Sequence, residues 1–187
     1  MRKVTFGVAN SLDNYIARRD HSIDWLLWCD EAKEIMNDFW KRVDAIVMGR
    51  KTYEVALQHS SGSGGGPYGN MQTFVMSRSL KPDPEKYPGV EIVSGDAVEF
   101  LRDLKAKKGK EIVVMGGGEL ANPLLEAGLI DEIGFNIHPV LLGSGIPLFN
   151  PMSRQLDLEL LDCRRLSNGC VYVMYRVKDL GARPGGR

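Results

Sequence analysis

Net charge is what this chain most visibly lacks: Lys and Arg together number 24, Asp and Glu also number 24, and the formal charge at pH 7 is zero. Without an excess of either sign there is no bulk field to gather nucleic acid or an anionic membrane, so any cation that matters must act locally. Cysteine is scarce too. Cys29, Cys163 and Cys170 make an odd count, with no CxxC spacing and no histidine cluster beside them. That pattern argues against a disulfide framework or a zinc site, so reduced, partly buried thiols and no metal are expected. No apolar run reaches the ~18 residues of a membrane helix. Residues 2–9 enter a strand-like alternation without a charged leader or cleavage site, which makes the cytoplasm the expected compartment.

A chain of 187 residues suits one domain with its own core. That domain is expected over residues 1–180, with a frayed, glycine-rich tail at 181–187 and a Ser/Gly run at 60–66 to which no role is assigned. Short β-branched stretches at 4–9, 45–48, 73–76 and 112–115 alternate with amphipathic ones at 30–42, 52–58, 97–107 and 119–127. This is the order of parallel strands joined by crossover helices. After Gly128 the texture changes to strand-like segments at 132–138, 156–166 and 170–177. Ser167-Asn168-Gly169 is a tight-turn signal between the last two. The expected fold is therefore α/β, a mostly parallel mixed sheet with an antiparallel C-terminal hairpin.

Three strand ends carry the chemistry. The sharpest is Val113-Val114-Met115-Gly116-Gly117-Gly118-Glu119-Leu120, an apolar strand that ends in three glycines and opens into a helix. Such a turn lets backbone N–H groups approach a diphosphate, and the helix N-terminus adds partial positive charge. It lacks the GxGxxG spacing, which disfavours an ordinary Rossmann fingerprint. Likewise, Ala45-Ile46-Val47-Met48 leads into Gly49-Arg50-Lys51-Thr52, setting two cations and a hydroxyl at a helix start. Phe74-Val75-Met76 ends in Ser77-Arg78-Ser79. Ligands of open α/β sheets collect at such ends, so their conjunction points to a dinucleotide.

These three segments stand in the order and spacing of dihydrofolate reductases, which the chain resembles. Ala9-Asn10-Ser11-Leu12-Asp13-Asn14-Tyr15-Ile16-Ala17 and Ile23-Asp24-Trp25 are similar to the first strand and active-site loop of the riboflavin-biosynthesis reductase domain. Gly128-Leu129-Ile130-Asp131-Glu132-Ile133 and His138-Pro139-Val140-Leu141-Leu142-Gly143 match single-domain members of that group, so the resemblance spans about residues 2–177. It implies a three-layer dihydrofolate reductase-like fold, a homodimer, NADPH as cofactor and reduction of a small heterocyclic substrate of the riboflavin-pathway type, with dihydrofolate or pterin reduction and a non-catalytic NADPH-binding role as the alternatives. It also implies that Ala9, Ile16 and Ala17 line the nicotinamide. The Gly116-Gly117-Gly118 turn and Arg50-Lys51-Thr52 would hold the diphosphate, and Ser77 and Arg78 the adenosine 2′-phosphate.

On the substrate side, counting from Trp25 puts Asp30 where dihydrofolate reductases keep the carboxylate that holds the pterin, while counting back from Gly49 gives Lys33 instead. Asp30, Glu31 and Glu34 sit near one helix start, where acids also suit the helix dipole. Asn136 matches a polar pocket position of the family, and Asp30 and Asn136 are the candidate catalytic residues. Trp25 and Glu34 are candidate substrate contacts, and Trp28, Phe39 and Trp40 could stack a flat ring or belong to the core. His138 and His21 are weighed as proton donors, with a structural role expected for a His-Pro pair that ends a strand. An Asp-Pro-x-Leu-x-x-Arg segment typical of the riboflavin enzyme is replaced here by Gln58-His59-Ser60 and the glycine run.

Overall fold

The computed structural model describes residues 1–59, 71–81, 83 and 89–178; the Ser/Gly run and the C-terminal tail lie outside the described residues. In chain order the elements are β1 (Val4–Ser11), β2 (Tyr15–Ala17), α1 (Asp30–Arg42), β3 (Val43–Gly49), α2 (Arg50–His59), β4 (Gln72–Met76) and β5 (Val90–Val93). They continue with α3 (Ala97–Ala106), β6 (Glu111–Met115), α4 (Gly118–Glu126), β7 (Glu132–His138), β8 (Ile146–Pro147), β9 (Leu158–Arg165) and β10 (Val171–Val177). Eight strands form one sheet in the order β5-β4-β3-β6-β1-β7-β10-β9, and β2 pairs with β8 in a separate antiparallel ribbon. The pairs from β5 through β7 are parallel, and β10 runs antiparallel to both β7 and β9. The mixed sheet and its C-terminal hairpin are thus as the sequence implies.

Alternation along the strands divides the molecule into three layers. Ala45 and Val47 of β3, with Ile112 and Val114 of β6, face a core shared with Leu101 and Leu104 of α3 and Leu120, Leu124 and Leu125 of α4. Their neighbours Ile46, Met48 and Val113 face the other way, onto a core with Tyr53 and Leu57 of α2 and Phe39 and Trp40 of α1. Continuous apolar runs such as Ala-Ile-Val-Met are what a sheet covered on both faces requires. Each fully buried Phe, Leu or Ile contributes roughly 1.5–3 kcal/mol. Asp96 starts α3 by accepting hydrogen bonds from the Val98 and Glu99 amides at 2.8 and 3.0 Å, a cap worth ~1 kcal/mol. At the opposite ends of the strands, Lys105 Nζ reaches Asp131 Oδ2 at 2.5 Å and the Leu129 carbonyl at 3.0 Å. Asp131 in turn accepts the Val4 amide, tying α3 to the entries of β1 and β7.

Strands β5, β2 and β8 are absent from the sequence-based expectation. β2 and β8 have three and two residues, too few to show a periodicity, and in the four residues of β5 the exposed Glu91 interrupts the apolar run; all three are fixed by tertiary pairing. Strand β9 begins at Leu158 rather than 156, and nearly every residue along it is exposed.

Candidate active site

A cleft of about 1440 Å³ opens along the α1/α2 face of the sheet and across the C-terminal ends of β3, β4, β5 and β6. It exceeds the ~300–1,000 Å³ of a single small-ligand pocket. There is room for a dinucleotide and a second molecule beside it.

The three strand ends singled out in the sequence meet here. Gly49, Arg50, Lys51, Thr52, Ser77, Arg78, Ser79, Met115, Gly116, Gly117, Gly118, Glu119 and Leu120 all line the cleft, as do Ala9, Ile16 and Ala17. Arg50 and Lys51 share the carboxylate of Glu54 at 3.6 and 3.5 Å, so the pair keeps a net positive charge. Arg78 is exposed and has no acidic partner among the described residues. The Ser77 hydroxyl oxygen accepts the Ser79 and Leu80 amides at 3.3 and 3.0 Å, which fixes the turn and leaves its proton free for an anion. A fourth strand end, Val93-Ser94-Gly95-Asp96, lines the same wall. The sequence reading missed it, although a short β-branched run ending in Ser-Gly-Asp before a helix has the same pattern as the other three.

The glycines divide by what surrounds them. A Cβ on Gly49 or Gly95 would meet nothing within 4 Å, so at these two strand ends the backbone borders open cleft that a ligand can approach. Gly116 has φ +133°, a conformation L side chains rarely adopt, and its Cβ would stand 2.9 Å from Thr52 Oγ1. Gly117 and Gly118 differ from the expectation. Their Cβ atoms would strike protein: Ile16 Cδ1 at 3.0 Å and the Pro147 carbonyl at 3.1 Å for Gly117, the Asn150 amide nitrogen at 2.5 Å for Gly118. These two glycines let the turn close against β2 and the segment after β8. Three cations, bare backbone at two strand ends and a helix start together fit a diphosphate and a further phosphate, the donor set NADPH requires.

Toward β1 and β7 the cleft floor is low because the residues facing α1 are small: Gly7, Ala9 and Gly134 line it, while Phe6, Ile133 and Phe135 turn to the opposite core. Asn136 and His138 complete the floor. His138 is 1 % exposed, and burial holds its imidazole below the ordinary range, so it is neutral. The Leu27 amide donates to Nδ1 at 3.2 Å, which puts the ring proton on Nε2, 3.3 Å from the Asn136 side-chain nitrogen. An Asn136 amide turned to present its oxygen would accept that proton. Whichever way it is turned, one polar atom of Asn136 is left over, as its buried Oδ1 is here. With Trp25 set edge-on to the ring at 5.2 Å and the Cys170 thiol at 3.3 Å, His138 is held as a structural residue. Burial raises the Cys170 thiol and the Tyr172 hydroxyl above their ordinary values, so both stay protonated.

The RibD C-terminal domain family model matches residues 2–172. The chain belongs to that family. Among curated relatives, it is 36% identical over 160 residues to the uncharacterized protein YwjB of Bacillus subtilis (strain 168), covering 85% of this chain and 89% of that one. Among solved structures, a protein assigned to riboflavin biosynthesis in Shewanella sp. PV-4 superposes with a TM-score of 0.80 at 28% identity, covering 96% of this chain and 100% of that one. The deaminase/5-amino-6-(5-phosphoribosylamino)uracil reductase of Thermotoga maritima shares the fold, with a TM-score of 0.69 at 18% identity over 95% of this chain and 57% of that one.

Within this RibD C-terminal domain protein, several substrate-side candidates fall outside the cleft. Asp30 is exposed and paired with Lys33 at 2.9 Å, Glu34 is exposed, and neither lines the cavity. Their helix turns Ala32, Ile35, Met36 and Phe39 to the cleft, and at 100° per residue positions 30 and 34 fall on the far side. Asp30 serves the first turn of the helix, and no carboxylate of α1 lines the cleft. Trp25 is buried and lies behind His138, whereas Trp28, Phe39 and Trp40 border the cavity. His21, set in a loop with φ +67°, also lines it. Of the cysteines, Cys170 is buried and Cys29 partly so, but Cys163 is exposed because it lies on edge strand β9. Among the described residues no His/Cys/Asp/Glu group could hold a metal ion, and no helix is long and apolar enough to cross a membrane.

Proposed function

We propose that this protein is an NADPH-dependent reductase of a small planar substrate. The observation that carries this reading is the meeting of β3, β4, β5 and β6 ends, with Arg50, Lys51 and Arg78, along one wall of a cleft that continues over the floor of β1 and β7. Arg50, Lys51 and the Gly116 turn would take the diphosphate. Ser77 and Arg78 would take the 2′-phosphate, and Ala9, Ile16 and Ala17 would flank the nicotinamide. Bound there, NADPH supplies a hydride for a C=N or C=O bond. The chain's own part is to orient the acceptor over Ala9 and Gly134 and to keep bulk water from the floor. The uracil reductase named among the structural neighbours supports this reaction class. The folate alternative loses its support with Asp30 turned to solvent.

Titration calorimetry with NADPH and NADH tests the assignment. Arg78→Ala should cost roughly 1.5–3 kcal/mol of NADPH affinity and leave NADH unchanged; equal affinity of the parent for both cofactors would refute it. NADPH oxidation against a panel of pterins, pyrimidines and small carbonyls then tests turnover. A cytoplasmic homodimer belongs to the same proposal. Strand β9 is an open sheet edge with Leu158, Leu160 and Leu161 exposed, a row that a second copy would cover. Light scattering giving a mass near that of one 20.8 kDa chain at micromolar concentration would rule out the dimer.

A further inference from the structure

Every lysine and arginine lining the cleft among the described residues, namely Arg50, Lys51 and Arg78, lies at the β3 and β4 ends. None borders the part under α1. That part is walled by Ile35, Met36, Phe39 and Trp40 of α1 and by Tyr172 and Met174 of β10. The cations just behind this wall are already paired: Lys3 with Glu132 at 3.0 Å, Arg42 with Glu111 at 3.4 Å and Arg164 with Asp162 at 2.7 Å. Asp24, the acid at the loop side, is held by Arg18 at 2.7 Å. A phosphate or carboxylate drawn into such a place loses hydration and gains no counter-charge, which is strongly unfavourable. The floor is not wholly apolar, however. Thr5 Oγ1 and one polar atom of the Asn136 side-chain amide are buried without hydrogen-bond partners, and both residues line this part. They ask for uncharged donors and acceptors on the edge of a ring.

We infer that the acceptor site takes an uncharged, flat, largely apolar ring system bearing N–H and C=O groups, and that it excludes phosphorylated and carboxylated substrates. This rests on reading the strand-end wall as the cofactor site, and it separates this chain's substrate from the phosphoribosyl compound named for the Thermotoga maritima neighbour.

Lumiflavin and FMN share one ring system and differ in a ribityl phosphate, so they isolate the charge. With the strand-end wall saturated by NADP⁺, calorimetry should show lumiflavin binding at least about tenfold more tightly than FMN, a difference of ~1.4 kcal/mol. Met36→Arg adds a cation at a position already 40% exposed, where folding tolerates it. It should raise FMN affinity about tenfold relative to lumiflavin. Equal or tighter FMN binding by the parent, no FMN gain in the variant, or no lumiflavin binding would each overturn the inference. Failure of NADPH itself to bind would instead strike the cofactor reading, and lumiflavin binding by the nucleotide-free protein would then decide this one.

Discussion

The two faces of the central sheet are built from alternate residues of the same strands, yet one is solid and the other hollow. On the α3/α4 face, β1 presents Val4, Phe6 and Val8, and β7 presents Ile133 and Phe135, packed among helix leucines with Phe6, Phe135 and Phe149 in mutual edge contact. On the α1 face the intervening positions are Thr5, Gly7, Ala9, Gly134 and Asn136. Stability is concentrated on the first face and ligand space on the second. The division runs through β1 and β7 residue by residue, so one strand serves both purposes without compromise between them.

The largest test of that division is a matched truncation. Phe6→Ala, on the solid face, should lower unfolding free energy by roughly 3–5 kcal/mol, whereas Met36→Ala, at the lip of the hollow face, should stay within ~0.5 kcal/mol; denaturant titration of both variants compares them. Comparable losses would mean that α1 is as tightly packed as α4. A second contrast uses the glycines. Gly118→Ala forces a Cβ against the Asn150 amide and should cost roughly 1–3 kcal/mol of stability. Gly49→Ala places its methyl in open cleft, so it should leave the melting curve unchanged and weaken NADPH binding.

pH gives a third comparison, because His138 is the buried titratable group of the hollow face. Its folded-state value is depressed by burial, so the unfolded chain takes up that proton more readily. The contribution is complete above the unfolded value of ~6.5 and is lost progressively as pH falls from there through the depressed folded value. Denaturant midpoints should therefore decline below that pH, and His138→Gln should flatten the decline. A gain rather than a loss belongs to Gly7→Ala, whose new methyl would meet only Val113 Cγ2 at 3.6 Å. Removing a flexible glycine there should raise stability by about 0.4–1 kcal/mol.

The parallel order, the hairpin and three of the four strand ends that line the cleft were legible because each shows itself in local sequence: a β-branched run, a glycine stop, a helix start. β5 was missed although its Ser-Gly-Asp stop before a helix resembles the others, because the exposed Glu91 interrupts the apolar run that marks β3, β4 and β6, and its pairing with β4 completes it. Asp30 was reached by counting from Trp25, whereas the spacing of Ala32, Ile35, Met36 and Phe39 already placed it outside the cleft: a helix that turns these inward turns Asp30 and Glu34 out. The glycine triplet was read as one device. It is three: Gly116 makes the turn, and Gly117 and Gly118 admit neighbouring chain, a distinction that only the fold of residues 146–150 reveals.

That interlock constrains how the protein can vary over generations. Ile16 on β2, Gly117 after β6 and the Pro147 carbonyl on β8 occupy one small volume, and Gly118 sits against Asn150 in the next. A larger residue at 117 is admissible only if position 16 shrinks or the ribbon of β2 and β8 shifts outward, and either change moves the wall assigned to the nicotinamide. Inherited changes in these three distant stretches of sequence must therefore arrive in compensating sets.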